Sequence, residues 1–452
     1  MIDPQAGPDF VGDLDLDATS LAKYTARCED VVARYPSRID RDAGAQRSVD
    51  QAFAAARTAR RAFLARHADA VYSVLTSGLA RHRRLPELVH AAAERFPGLV
   101  PTATSIADER GRIQAERDGR EIDQAIFCAA ILRSPRSGSH LIDAMRMPTA
   151  PAIEVLDIFR RTGKIELSSV AVERVGHAAY LTFRDGHPLN AENDQLVTDT
   201  ETAVDLALLD DEVRVGVLRG GPSGSPRYQG KRVFSAGMNL TDLRNGRISF
   251  VEFLLGRELG FINKIMRGLF TDARAAPVVA RQPEKPWIGA VDAFAIGGGM
   301  QLLLVLDRVI AEEGAFFSLP AAEEGIVPGL ANLRLSRAVG SRMSRRIILS
   351  GLRIAATDRA AELICDEVVP AEEMDAAITA AVAELSQPAV VANRRMLILA
   401  EEPVDLYRRY LAEFAIVQAE RMYSPDVLGN VERRWQESRR RKQVGGNRAV
   451  GT

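Results

Sequence analysis

Three consecutive glycines, Gly297 to Gly299, stand in the segment AIGGGMQ and form what we call the GGG turn. The apolar run before it, Trp287 to Val291, is typical of a strand, and a second apolar run, Leu302 to Leu306, follows. Glycines at such a junction let a ligand approach the backbone without a Cβ in the way. If a helix starts there, its first N–H groups lack intrahelical partners and suit an oxygen that becomes anionic during a reaction. The alternative is a close-packed glycine turn.

A second glycine motif lies in the segment FSAGMNL, and we call its residues Ser235 to Met238 the AG loop. It follows a strand-like run, Val213 to Gly221. The Ala-Gly pair exposes the backbone N–H of Met238. Two backbone donors that converge from separate loops would form an oxyanion hole, which stabilises an enolate or a tetrahedral oxyanion.

The order and spacing of these motifs resemble the crotonase (enoyl-CoA hydratase/isomerase) superfamily from about Lys164 onward. The resemblance includes a strand, HPLNA, FSAGMNL, the long glycine motif and GIVPG, at Ala178–Arg184, His187–Ala191, Phe234–Leu240, Lys285–Gln301 and Gly325–Gly329. It implies an α/β fold with the ββα spiral core of that superfamily. It also implies that the N–H groups of Met238 and Gly298 bind the thioester oxygen of an acyl-CoA.

Two positions depart from the hydratases of this superfamily, which use a pair of glutamates to hold water and move its protons. The first position is Gln301, and the second aligns with Ala321. An amide cannot act as a general base at neutral pH, and alanine has no acid–base chemistry. Glu323 and Glu324 lie nearby, but we interpret them as a solvated charge pair. The chain therefore keeps the enolate-stabilising backbone and lacks the hydration residues.

This combination, with a helical extension before the core, resembles crotonase-type oxygenases that act on arylacetyl thioesters without metal or cofactor. The resemblance implies O₂ as co-substrate and a place in glycopeptide-antibiotic biosynthesis. It implies that Glu192 and Arg257 reach phenolic hydroxyls and that Gln301 lies beside the reacting end of the substrate. The alternatives are an ordinary acid in the first turn of a helix for Glu192 and a snorkelling side chain for Arg257.

Two further groups of residues have both a functional and a structural interpretation. An apolar pocket for O₂ would be formed by Leu240, Ala321, Ile326 and Pro328, which could equally be plain core. Lys231 and Arg232 would reach CoA phosphates or would belong to a solvated loop. Thioester hydrolysis, double-bond isomerisation and a catalytically silent scaffold are the rival functions. Intact glycine motifs count against the scaffold, which has no use for oxyanion donors.

The elements that must position these residues divide into three predicted regions. Residues 1–163 form a helical domain, which serves either as an oligomerisation or packing domain or as a lid on the active site; 164–370 form the crotonase core; and 371–452 form a helical C-terminal region. Within the core we predict a helix over Ala191–Leu209 and an amphipathic helix over Phe250–Phe270. In crotonases the terminal helices pack across subunits, so the resemblance implies a homo-oligomer, as a trimer or a dimer of trimers.

Composition excludes several other classes. The formal net charge is -1, so no basic field favours nucleic acid, and RRRK at Arg439–Lys442 is interpreted as a solvated stretch. The three cysteines lack CxxC spacing and the six histidines lack ligand spacing, so we predict no metal site and a cytoplasmic location. No signal peptide and no apolar run long enough to span a membrane is visible, so we predict no membrane partner.

Overall fold

The computed structural model describes residues 7–184, 189–271 and 283–436, and the chain divides into two compact units. One unit combines the chain up to Ala144 with Leu240–Val251 and the chain from Asp405 onward. The other combines Met145–Asn239 with Glu252–Val404. The three regions predicted from the sequence, 1–163, 164–370 and 371–452, are continuous stretches of chain, whereas each of these units combines separate stretches. The boundaries of the three regions stay a prediction.

The first unit is helical, as the apolar spacing predicts. Side-chain caps define where its helices begin: Asp13 accepts the N–H groups of Asp15 and Leu16, and Asp42 accepts that of Ala45. Its main helices before residue 150 span Leu14–Val32, Ala43–Leu75, Leu85–Arg95, Ala103–Arg110, Glu121–Arg133 and Pro135–Arg146. A short helix, Leu240–Arg244, and a long C-terminal helix, Val404–Met422, complete the unit.

A buried carboxylate joins the three parts of this unit. Glu121 accepts the hydroxyl of Tyr423 at 2.6 Å and the backbone N–H of Phe250 at 3.0 Å. Burial raises the pKa of Tyr423 well above its ordinary value, so the hydroxyl keeps its proton and donates. Stretches that are far apart in sequence are thereby held in one helical unit.

The second unit is built around a seven-stranded sheet of order β1-β2-β3-β4-β5-β7-β10 and a small sheet of order β6-β8-β9. In the large sheet β1, β2 and β3 are antiparallel, and the pairs from β3 to β10 are parallel. The ten strands β1 to β10 are Lys164–Glu166, Val170–Val175, Ala178–Phe183, Val215–Gly220, Trp287–Val291, Phe294–Ile296, Arg308–Glu312, Phe316–Ser318, Ile354–Ala355 and Glu367–Val369. The predicted α/β fold is confirmed.

Helices cover the parallel strands, which are buried as apolar runs. Val217 and Ile288 pack in one core cluster with Met374 and Ile378 of the helix Met374–Leu385. The helix after β3 begins at Asp194, three residues later than predicted, because Asn193 caps it by accepting the N–H of Leu196. The helices of this unit are Ala150–Thr162, Asp194–Leu209, Asn263–Arg267, Gly298–Leu303, Ala321–Glu324, Ala331–Ser350, Met374–Leu385 and Pro388–Glu401.

The predicted amphipathic helix over Phe250–Phe270 is wrong in two respects. Phe250–Leu255 and Glu258–Ile262 are π-helical, and only Asn263–Arg267 is a regular α-helix. Almost every side chain in the segment is buried, so it has no solvated face. Buried Glu201 lies beside this segment: its carboxylate pairs with Lys264 at 2.8 Å, and its Oε1 lies 2.9 Å from the position that a Cβ on Gly260 would take. We refer to 250–262 as the π segment.

Glu402 holds the end of the helix Pro388–Glu401 against two other helices. Its carboxylate accepts the Nε and Nη2 groups of Arg334 at 2.9 and 3.1 Å and Nη2 of Arg267 at 2.9 Å. Burial opposes its charge, but these two guanidinium groups outweigh burial and lower the pKa of Glu402 to about 2. Its ionised form is therefore stabilised in the folded protein.

We expect Glu402→Gln to destabilise the protein by about 3 kcal/mol at neutral pH, from the gap between an ordinary pKa and a pKa of about 2. Because the folded pKa is depressed, the contribution is present above the ordinary pKa and disappears as the pH falls through it toward about 2. Urea unfolding at several pH values measures the free energy of unfolding of the wild type and the variant. The control is Glu401→Gln at the exposed neighbouring residue, which should match the wild type; equal effects of the two variants would contradict the assignment.

Candidate active site

The GGG turn and the AG loop are in direct backbone contact. Ile296 donates its N–H to the carbonyl of Ser235 at 2.9 Å, and Gly297 donates to the carbonyl of Ser318 at 2.9 Å. Gly237 has a φ of +79°, and a Cβ at this position would lie 2.9 Å from the Ile296 carbonyl oxygen and 3.2 Å from the Gly298 nitrogen. A side chain there would force the two stretches apart, so glycine is required for their approach.

The two predicted donors lie at this junction. Gly298 is the first residue of the helix Gly298–Leu303, which confirms that a helix starts in the GGG turn. Met238 is bridged to Glu192 through its neighbours: Glu192 donates to Gly237, and Asn239 donates to Glu192. Within the described ranges, neither the Met238 N–H nor the Gly298 N–H has an acceptor. Both are therefore available to an external oxygen, as an oxyanion hole requires.

Arg257, at the centre of the π segment, is buried and does not snorkel, so that alternative is wrong. Its Nε and Nη2 donate to the two carboxylate oxygens of Glu192 at 2.6 and 3.3 Å. Nη2 also donates to the Gly298 carbonyl at 2.8 Å, and Nη1 donates to Gln301 Oε1 and Glu258 Oε1, both at 3.2 Å. These contacts use all five N–H groups that a guanidinium possesses.

Glu192 is likewise buried, and it lies before the helix Asp194–Leu209 instead of within its first turn. Its Oε1 also accepts the hydroxyl of Ser235 at 3.3 Å. A Cβ on Gly298 would overlap the carboxylate, with the Cδ atom only 2.8 Å away. The charged end of Glu192 therefore lies directly against Gly298.

Glu258 is a site residue that the sequence reasoning missed. It is buried, and a Cβ on Gly329 would overlap its Oε1 and lie 2.5 Å from Gln301 Oε1. Burial raises the pKa of Glu258, while Arg257 and Arg334 oppose that rise. One signal was available: an Arg-Glu pair stands inside the apolar run from Phe253 to Phe261, and buried charges require partners.

The predicted oxygen-pocket residues are distributed over both units. Ala321 and Pro328 are buried and Ile326 is half-buried in the second unit, and Pro328 directly precedes Gly329, which contacts Gln301. Leu240 begins a short helix of the first unit. Glu323 is exposed and Glu324 is half-buried, so the interpretation of the two as a solvated pair fits Glu323 better than Glu324. The pocket itself stays a prediction.

The predicted CoA-binding residues lie between β4 and the AG loop. Lys231 is exposed and lies 3.5 Å from Glu312, and half-buried Arg232 donates to the Gly220 carbonyl at 3.2 Å. Lys231 is therefore the more accessible of these two cations.

Two stretches singled out in the sequence fall outside the described residues. They are His187 and Pro188 of the HPLNA motif and the basic stretch Arg439–Lys442.

A small cavity lies beside Glu192 and Ser235. Its other walls are mainly carbon, from Phe183, Leu196, Val197, Thr200, Phe261 and Leu302. Thr200 directs its hydroxyl to the Leu196 carbonyl at 2.6 Å, so its polar group is satisfied within the helix. Among the described residues, no three His, Cys, Asp or Glu side chains are grouped to hold a metal ion, and no helix combines the length and apolar character needed to cross a membrane.

The comparisons agree with this geometry. The family model for enoyl-CoA hydratase/isomerase matches residues 271–402. The (3,5-dihydroxyphenyl)acetyl-CoA 1,2-dioxygenase of Amycolatopsis orientalis is 53% identical over 416 residues, which are 92% of this chain and 95% of that protein. This chain belongs to the enoyl-CoA hydratase/isomerase (crotonase) family.

Other crotonases are similar over a smaller part of the chain. The short-chain-enoyl-CoA hydratase of Clostridium acetobutylicum is 30% identical over 47% of this chain and 74% of its own length. The crystal structure of an enoyl-CoA hydratase from Mycobacterium avium subsp. paratuberculosis covers 60% of this chain and 97% of its own, with 24% identity and a TM-score of 0.48. Of the two relatives matched by sequence, the Amycolatopsis protein covers nearly the whole chain and the hydratase about half of it.

We expect Gly298→Ala to lower turnover on the order of 100-fold, because the new methyl group would displace Glu192 and disturb one oxyanion donor. The matched control is Gly314→Ala, whose Cβ would meet only Glu312 Oε1 at 3.5 Å. Steady-state kinetics on both variants, with circular dichroism to show that they fold, measures the effect. A folded Gly298→Ala variant as active as Gly314→Ala would argue against the site.

Proposed function

We propose that this crotonase is a dioxygenase that converts (3,5-dihydroxyphenyl)acetyl-CoA and O₂ to 3,5-dihydroxyphenylglyoxylate and CoA. The observation that carries the proposal is the likeness, over nearly the whole of both chains, to a relative that bears this name. The replacement of the two hydratase glutamates by Gln301 and Ala321 supports it, because hydration loses its acid–base pair while the oxyanion donors remain. The dihydroxyphenylglyoxylate product leads to the arylglycine units of glycopeptide antibiotics.

The reaction follows from the acidity of the substrate. Loss of a Cα proton gives an enolate, whose charge is shared by the ring, the thioester and the two donors, Met238 N–H and Gly298 N–H. The enolate passes one electron to O₂, and the two radicals combine to a peroxide on Cα. The peroxide attacks the thioester carbonyl and expels CoA as thiolate. Loss of the second Cα proton with O–O cleavage then gives the α-keto acid.

The charged cluster beside the GGG turn supplies the polar end of the substrate site. Glu192 accepts a hydrogen bond from one ring hydroxyl, and Gln301 lies by the reacting end. Arg257 has no spare donor, so it reaches a hydroxyl by exchanging a contact. The 3.3 Å bond to Glu192 Oε1 is the longest of its five and the one a hydroxyl would replace. Ala321, Ile326, Pro328 and Leu240 border the O₂ site in this proposal.

The remaining assignments concern partners and location. Lys231, with Arg232 behind it, contacts the CoA phosphates, and neither metal nor other cofactor takes part. Several exposed apolar side chains on the helix Pro388–Glu401, among them Met396, Leu397 and Leu399, support assembly into a homo-oligomer of the trimeric kind. Three buried free cysteines are consistent with a reducing cytoplasm.

The function is tested by incubating the purified protein with (3,5-dihydroxyphenyl)acetyl-CoA, aerobically and anaerobically, with and without a chelator. We expect stoichiometric O₂ uptake, an ¹⁸O-labelled glyoxylate from ¹⁸O₂, and no effect of the chelator. Anaerobic release of (3,5-dihydroxyphenyl)acetate would instead identify a thioester hydrolase. Activity lost with a removed metal would refute the metal-free mechanism.

We expect Ala321→Glu to lower dioxygenation far more than it lowers exchange of the Cα hydrogen with solvent deuterium. A carboxylate in place of this buried methyl brings water into an apolar site, and water protonates the enolate before O₂ reacts with it. Both reactions are followed on one folded sample. The control is Ala322→Glu at the exposed next residue, which should resemble the wild type. An unchanged rate of O₂ uptake in Ala321→Glu would remove Ala321 from the oxygen site.

A further inference from the structure

The buried charges behind the substrate site alternate in sign along one continuous chain. Glu192 pairs with Arg257 at 2.6 Å, and Arg257 with Glu258 at 3.2 Å. Glu258 pairs with Arg334 at 3.6 Å, and Arg334 with Glu402 at 2.9 Å. Glu402 pairs in turn with Arg267 at 2.9 Å. We call these six residues the charge chain.

The charge chain is electrically balanced, since it holds three carboxylates and three guanidinium groups. The side chains of all six are at least nine-tenths buried, where an unpaired charge is strongly unfavourable. Each interior member is held from both sides by opposite charges. A change at one member therefore affects the next along the chain, because no solvent is available to replace the missing partner.

Glu258 is the member that connects the substrate site to the rest of the chain. Its Oε1 accepts from Arg257 Nη1, which also donates to Gln301 Oε1 at the same distance of 3.2 Å. Arg334 Nη1 lies 3.6 Å from its second carboxylate oxygen, an ion-pair distance, and Glu402 fixes Arg334 through two hydrogen bonds. The orientation of the guanidinium of Arg257 is thus set from behind.

We propose that Glu258, supported by Arg334 and Glu402, is a positioning residue that orients Arg257 so that one guanidinium holds Glu192, the Gly298 carbonyl and Gln301 together. This inference rests on the proposed function. It assigns the ring-recognition end and the reacting end of the substrate to a single guanidinium plane. Without Glu258, Nη1 is free to turn away from Gln301, and the two ends lose their common alignment.

The pKa of Glu258 reflects its place among these buried charges. Burial raises it, the two arginines counteract burial, and the carboxylates of Glu402 and Glu192 raise it further. The charge of Glu258 therefore depends on the arginines that it positions. A surface glutamate would not show this dependence.

The test is a double-mutant cycle between Glu258→Gln and Arg257→Lys. It measures kcat/KM for (3,5-dihydroxyphenyl)acetyl-CoA and for phenylacetyl-CoA, together with Cα hydrogen exchange. We expect each single variant to lose on the order of tenfold or more with the dihydroxylated substrate and much less with the unsubstituted one. Because Glu258 acts through Arg257, the double variant should lose little more than the worse single variant.

The matched control is Glu201→Gln. Glu201 is also a buried glutamate in an ion pair, with Lys264 at 2.8 Å, and Lys264 keeps Asp205 as a second partner at 2.7 Å. The ion pair of Glu201 is with Lys264 and not with Arg257, so we expect its effect to be equal for both substrates and to multiply with that of Arg257→Lys. If Glu258→Gln fails to fold, Glu258→Asp takes its place, because it keeps the charge and withdraws the oxygen from Arg257.

The outcomes separate the inference from the function on which it rests. Multiplicative effects of Glu258 and Arg257, or an equal loss on both substrates, would refute the positioning role while wild-type O₂ uptake still upholds the dioxygenase. Wild-type protein that releases CoA without consuming O₂ would refute the function. Substrate discrimination that survives in Glu258→Asp at the wild-type level would also overturn the positioning role.

Discussion

The arrangement of the site depends on one constraint, the complete satisfaction of a guanidinium that solvent does not reach. Arg257 has five N–H groups, and each has an acceptor. In an apolar interior a missing acceptor would leave a charged donor desolvated, which costs more than the bond itself contributes. Glu192, Glu258, Gln301 and the Gly298 carbonyl therefore have to be where they are for Arg257 to be buried at all.

The glycines of the two motifs serve the same constraint from the other side. Gly237 allows the AG loop to touch the GGG turn, and Gly298 leaves room for the Glu192 carboxylate. If these two glycines carried side chains, Arg257 could not bind Glu192 and the Gly298 carbonyl with one Nη2 group. The two glycine motifs and the charged cluster are thus parts of one packed structure and not two neighbouring features.

The sequence was sufficient for the features that depend on short local patterns. Alternation of strand-like and helical runs predicted the α/β core, and the family resemblance implied that the two stretches meet at Met238 and Gly298. The sequence was insufficient where side chains far apart in sequence decide the outcome. The π segment reads as an amphipathic helix because apolar periodicity does not reveal burial on all sides. Glu258 was missed because its partner Arg334 lies 76 residues further along the chain, outside any motif.

The π segment has a consequence for how such a site could arise. π-helical turns correspond to extra residues accommodated within an α-helix, and they are frequent at functional sites. One residue rotates a helix by about 100°, so a crotonase that lacked a single residue before Arg257 would direct that side chain toward a different face. Insertion or deletion in the stretch 250–256, rather than point substitution at the site, is then a short evolutionary step between a crotonase that holds an arginine beside its GGG turn and one that does not.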